Sequence, residues 1–169
     1  MGDRYRQRHL LERTPELARS KSEDQWFDRK SVRIKPDDLA NHLIGFANAE
    51  GGTLVVGIEN DGSVTGIDGQ EDDVNRLRQC PIDFTAPLVP HMVDQIECVD
   101  RDGRPNHLLV FEVHPAERVH RTKRGDVFQR FGDQTRRLNE EQARELAYSK
   151  GEMLFDDSQA LGASVADLD

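Results

Sequence analysis

Residues 39–62 read LANHLIGFANAEGGTLVVGIENDG, and the order of those residues sets the architecture. Leu39, Leu43, Phe46 and Ala47 recur at the spacing of one helical face, so a helix is expected over 37–50, opened by Pro36 and capped by Asp37 or Asp38. Gly51 supplies the left-handed residue that closes helices. Thr53 to Ile58 is apolar and β-branched without alternation, which describes a strand covered on both faces. Asn60-Asp61-Gly62 then signals a tight turn, with Val64 to Ile67 as the return strand.

Upstream, residues 25–33 alternate, with Trp26, Asp28, Lys30 and Val32 on one side and Phe27, Arg29 and Ser31 on the other, as in a first strand. Downstream, a short polar helix over 70–79 turns Val74 and Leu77 inward, and Pro81, Pro87 and Pro90 mark an irregular crossing. Val93 to Val99 and His107 to Val113 flank Asp102-Gly103 as a second hairpin. Lys123 to Asp126 turns the chain into a strand over 127–131, where core is the expected fate of both Phe128 and Phe131. A last helix over 139–150 has Asn139 as cap and Gly151 as stop. The fold class is therefore α/β of the α+β kind, a mixed, hairpin-rich sheet of about six strands with helices packed on it. The expected organisation is a helical arm over 1–19, one domain over 20–151, and a disordered tail or linker over 152–169.

Composition narrows the function. The 169 residues carry a net charge of −9, which argues against indiscriminate coating of nucleic acid. The distribution is uneven: residues 118–137 hold Arg118, Arg121, Lys123, Arg124, Arg130, Arg136 and Arg137 against only Asp126 and Asp133. That stretch is the expected phosphate-binding surface, joined by Lys30. The two cysteines, Cys80 and Cys98, lack zinc or redox spacing, and the histidines lack metal-site spacing. Neither G-x-x-x-x-G-K-[ST] nor G-x-G-x-x-G occurs, so no nucleotide cofactor is expected. Apolar runs stay far below the roughly twenty residues of a membrane helix, and the first twenty residues are too charged for a secretory signal, so a cytoplasmic protein with no membrane partner is expected.

Phe46 to Glu59, FANAEGGTLVVGIE, closely resembles the FANTxGGxLxIGVxD core of the Schlafen AlbA_2 family of nucleic-acid-binding domains. Glu23, Asp28 and Lys30 resemble its E-x4-E-x-K element, and Gly125 to Arg136 its vYxRxGsxtr strand, so the likeness spans roughly residues 20–150. The resemblance implies binding of DNA or RNA, in a transcriptional regulator or a defence protein. It also implies an alternative, since three acids of nuclease-active relatives are implicated in metal-dependent RNA cleavage; Glu23, Asp28 and Glu59 take those places here, as catalytic groups and ligands to Mg²⁺ or Mn²⁺. Two departures weigh against that alternative. Asp28 replaces a Glu and is one methylene shorter, a displacement of about 1 Å at a site that needs tight preorganisation, and Arg29 replaces an aromatic. The same acids also suit simple pairing with Arg29, Lys30 or Arg33, or a groove that binds without cutting. No cofactor is expected outside the nuclease alternative. A protein-interaction or dimerisation domain, with a homodimer through an unpaired sheet edge, is the remaining class.

Overall fold

The structure is a computed structural model, and it describes residues 22–152. The arm expected at 1–19 and all of the tail beyond residue 152 lie outside the described residues. The central sheet has four strands in the order β1 (Phe27–Lys30), β2 (Gly52–Val56), β5 (Pro105–Val113) and β4 (His91–Val99). β1 and β2 run parallel, joined through helix α1 (Pro36–Asn48), while β5 is antiparallel to both β2 and β4. Two ribbons stand apart from that sheet: β3 (Thr85–Ala86) with β6 (Arg121–Thr122), and β7 (Phe128–Phe131) with β8 (Gln134–Arg137). Helices α2 (Glu71–Phe84) and α3 (Glu140–Ser149) complete the set, so the expected mixed α+β architecture is present, with its strands divided among three sheets.

The apolar run of β2 is buried at every position because both faces are covered. Leu54 and Val56 face the larger core with Leu43, Phe46 and Ala47 of α1 and Leu77 of α2, whereas Val55 faces a second core with Phe27, Ile58, Val64, Leu108 and Val110. A third cluster, Val119, Val127, Leu138, Leu146 and Ala147, lies under α3. Gly51 and Gly52 pack the end of α1 against the sheet. Gly51 has φ +78°, its N–H donates to the Phe46 carbonyl at 2.8 Å, and a Cβ there would lie 2.6 Å from the Val113 carbonyl oxygen. A Cβ on Gly52 would collide with the Phe46 ring.

Several local expectations are corrected. The α1 start is preceded by Lys35, and no side chain caps it; Asp37 and Asp38 instead sit in the first turn, facing the positive end of the helix. The turn at 60–62 forms, with the Gly62 N–H on the Glu59 carbonyl at 2.9 Å, but only one bridge, Ile58 to Val64, follows it. Positive φ at Gly57 and Gly66 breaks the extended backbone on both sides, so no return strand develops. α2 continues through Pro81 to Phe84, since a proline obstructs only the turn before it, and Pro81 itself is buried. Asn139 caps α3 as expected: its side chain accepts from the Gln142 N–H at 2.8 Å, and the Gln142 side chain accepts from the Asn139 N–H at 2.9 Å.

Candidate nucleic-acid interface

Alternation along β1 turns Phe27 toward the second core and Asp28 toward α1. Asp28 is 1% exposed and Arg130, from β7, is 2% exposed. Their side chains meet, with Arg130 Nη1 donating to Asp28 Oδ2 at 2.7 Å. Arg130 uses its remaining donors on the carbonyls of Asp24, Phe27 and Gly132 and on the Thr135 hydroxyl, and its guanidinium lies 4.8 Å from the centre of the Phe46 ring. Asp28 Oδ1 accepts from its neighbour Arg29 N–H at 2.7 Å and faces Lys30 Nζ at 3.6 Å. Gln25 ties the same segments together, donating to the Arg130 carbonyl and accepting from the Gly132 N–H.

Titration follows this geometry. Burial works to raise Asp28, yet the Glu23 hydrogen bond, Lys30 and Arg130 outweigh it and hold its carboxyl below the usual range. Burial raises Glu23, and its hydrogen bond to Asp28 and the Asp28 charge raise it further, against the Arg29 N–H and Lys30, which lower it. Burial, with the positive charges of Lys30 and Arg130, pushes His42 of α1 down to about 4 despite Asp28 nearby. His42 is therefore neutral at pH 7, with Nδ1 2.9 Å from the Thr135 hydroxyl. A cleft of about 480 Å³ opens beside this network, with Lys30, Arg33, Asn41, His42 and Asn60 in its wall.

Glu59 does not join that pair. It accepts from Arg33 Nη2 and from the Thr65 hydroxyl, each at 2.8 Å, and these contacts, with a Ser31 hydrogen bond, hold it below its ordinary value although its slight burial acts the other way. The divalent cation implied by the resemblance does not fit the acids as they stand. Arg130 already neutralises Asp28, Glu59 faces Arg33, and among the described residues no three His, Cys, Asp or Glu side chains converge as a metal site.

The basic stretch divides by burial. Arg130 is interior and not part of any phosphate-binding surface. Arg137 pairs with Asp126 at 2.7 Å, and Arg136 lies against the Gln134 side-chain oxygen at 2.9 Å. Arg118, Arg121, Lys123 and Arg124 are exposed, and among the described residues no acid pairs with them. They lie on β6 and its flanks. Asn48, at the end of α1 and 2% exposed, anchors this segment: its Nδ2 donates to the His120 carbonyl at 2.9 Å and the Phe128 carbonyl at 2.8 Å, and its Oδ1 accepts from the His120 N–H at 2.8 Å. A cleft of about 580 Å³ separates Arg121, Arg124 and Arg137 from the start of α3. Sequence reasoning missed Asn48 and His42; the available signal was a polar residue on an otherwise apolar helix face. It also expected Phe131 in the core, whereas Phe131 is 46% exposed, on the opposite face of β7 from Arg130.

Residues 23–139 match the family described as Schlafen, AlbA_2. The fold is also similar to that of the DIP2311 protein from Corynebacterium diphtheriae, with a TM-score of 0.56 and 21% identity over 84% of this chain. The match spans 28% of that protein's length, and at this identity the likeness concerns the fold alone. No curated protein sequence matches the chain significantly. Among the described residues, no helix is long and apolar enough to cross a membrane. The family match takes in the buried Asp28–Arg130 pair and the whole basic ribbon, and the chain belongs to the Schlafen AlbA_2 family of nucleic-acid-related domains.

Proposed function

We propose that the chain is a non-catalytic nucleic-acid-binding module that holds the sugar-phosphate backbone of DNA or RNA on the β6 segment. The observation that carries this reading is the set of four exposed cations, Arg118, Arg121, Lys123 and Arg124, without acidic partners among the described residues of a chain whose net charge is −9. A cation already paired inside the protein gains little from a phosphate, whereas an unpaired one releases counterions from the polymer when it binds. So few contacts imply weak, salt-sensitive binding, with a log-log salt slope of roughly −0.9 per phosphate contact on a duplex. The absence of catalysis in this proposal is supported by the donor set around Asp28, where a guanidinium stands at 2.7 Å from the carboxylate oxygen that a metal would need. The sheet edge gives the dimer alternative less support, because β4, the long outer strand, carries Asp94 and Glu97, charges of the kind that oppose edge pairing.

Fluorescence anisotropy of labelled oligonucleotides across a salt series tests the binding. The Arg121→Glu, Lys123→Glu, Arg124→Glu triple variant is expected to lose affinity for all sequences alike and to flatten the salt slope; unchanged binding removes the β6 segment from the proposal. Incubation with structured RNA, single-stranded DNA and duplex DNA in Mg²⁺ or Mn²⁺ is expected to leave every substrate intact. Cleavage abolished by both Glu23→Ala and Glu59→Ala overturns the non-catalytic reading.

A further inference from the structure

The β3–β6 ribbon has two unlike faces. In its register Thr85 lies opposite Thr122 and Ala86 opposite Arg121, and the Lys123 N–H extends the pairing to the Phe84 carbonyl at 3.2 Å. Thr85 is buried, its hydroxyl bonded to the Pro81 carbonyl and the Val89 N–H, and Thr122 is half-buried with its hydroxyl on the Asp126 N–H. Side chains alternate across a ribbon, so Ala86 and Arg121 share the other face; Phe84 and Lys123, one residue beyond the two strands and joined there through the Phe84 carbonyl, are exposed as they are. Phe84 keeps 36% of its surface in water, at the point where α2 hands the chain to β3.

Resting on the nucleic-acid reading above, we infer that this face binds single-stranded polynucleotide, with a base stacked on the Phe84 ring and its flanking phosphates held by Arg121 and Lys123. An aromatic ring beside two unpaired cations offers the two contacts an unpaired strand presents, a base π-face and a phosphate. Base pairs in a duplex are stacked on each other and hide their faces, so a duplex reaches only the cations. Ala86 leaves the ring uncrowded from its own strand. The hydroxyls of Thr85 and Thr122 are turned away and engaged, so neither reads a 2′-hydroxyl. DNA and RNA strands should therefore bind alike. Charge alone would also attract an acidic-surfaced copy of the chain; the exposed ring selects the polynucleotide, because only it offers bases to stack.

The test measures anisotropy for an oligothymidylate of about 12 nucleotides, the matching oligouridylate and a duplex of the same length, with the whole chain and its variants. Phe84→Ala is expected to weaken single-strand binding by about tenfold and leave duplex binding unchanged, while Phe84→Trp retains it. Thermal melts confirm that each variant is folded. Equal effects of Phe84→Ala on strand and duplex, no effect on either, or a wild-type preference for duplex overturns the inference. If the Arg121, Lys123, Arg124 reversal abolishes binding while Phe84→Ala does nothing, the backbone-binding proposal stands and the stacking fails. If the reversal has no effect, both fail. A strong preference for one of the two single strands overturns the pentose-blind face.

Discussion

Arg130 and Arg124 lie within a few residues of each other in one basic run, yet they do opposite work. Arg130 is 2% exposed, saturated by Asp28, Thr135 and three backbone carbonyls, and packed over Phe46. Arg124 is exposed at a turn with no acidic partner among the described residues. Charge counted along the sequence treats them as equal. In the folded chain one cation is a structural cross-link between β1 and β7, and the other is available to a ligand. A buried charge that has all its hydrogen bonds fixes geometry and is costly to disturb, whereas an exposed cation contributes little to stability and much to association.

The sharpest way to break the comparison is Arg130→Met. It strands the Asp28 carboxylate in a buried site, and urea denaturation is expected to report a loss of about 3–5 kcal/mol. Adding Asp28→Asn to that variant should recover part of it, because the uncompensated charge is gone; a double variant as unstable as the single one would assign the loss to packing alone. Next in size is Asn48→Ala, which leaves the His120 N–H and the carbonyls of His120 and Phe128 without their partner. A loss of roughly 2–3 kcal/mol is expected by the same measurement, and the anchored β6 segment should become less protected in hydrogen exchange.

His42 gives a pH test of the buried side. Its folded pKa, near 4, lies below its ordinary value of 6.5, so between those limits the unfolded chain binds the extra proton. Stability is therefore full above about pH 6.5 and declines toward pH 4, by on the order of 2–3 kcal/mol, and His42→Gln should flatten that part of the profile. The Arg121→Glu, Lys123→Glu, Arg124→Glu variant marks the other end of the scale. Its unfolding midpoint should correspond to a change within about 0.5 kcal/mol per site, even as its affinity for nucleic acid collapses. A large loss of stability in that variant would erase the distinction between the two regions.

The contrast also explains which features were legible in advance. The α1 helix, its glycine stop and β2 are written within a few residues, through the spacing of Leu39, Leu43 and Phe46, the positive φ of Gly51 and the unbroken apolar run. The capping box of α3 is equally local. The grouping of the acids was not legible. Asp28 and Arg130 are 102 residues apart, and Asn48 reaches 72 and 80 residues away to His120 and Phe128. Glu59 matches its motif position, but three residues beyond β2 its side chain has partners in Arg33 and Thr65, and these hold it.

By itself, then, the sequence determined the elements whose causes are short-range: helix periodicity, the α3 cap, glycine turns, the covered strand, and the presence of a basic run in an acidic chain. Tertiary structure alone decided which of those charges are inside, which strands share a sheet, and that exposed Phe84 and Lys123 come to pair through their backbones. The physical reason is that periodicity and caps act through neighbouring backbone groups, whereas burial and ion pairing depend on what the fold brings alongside from distant parts of the chain.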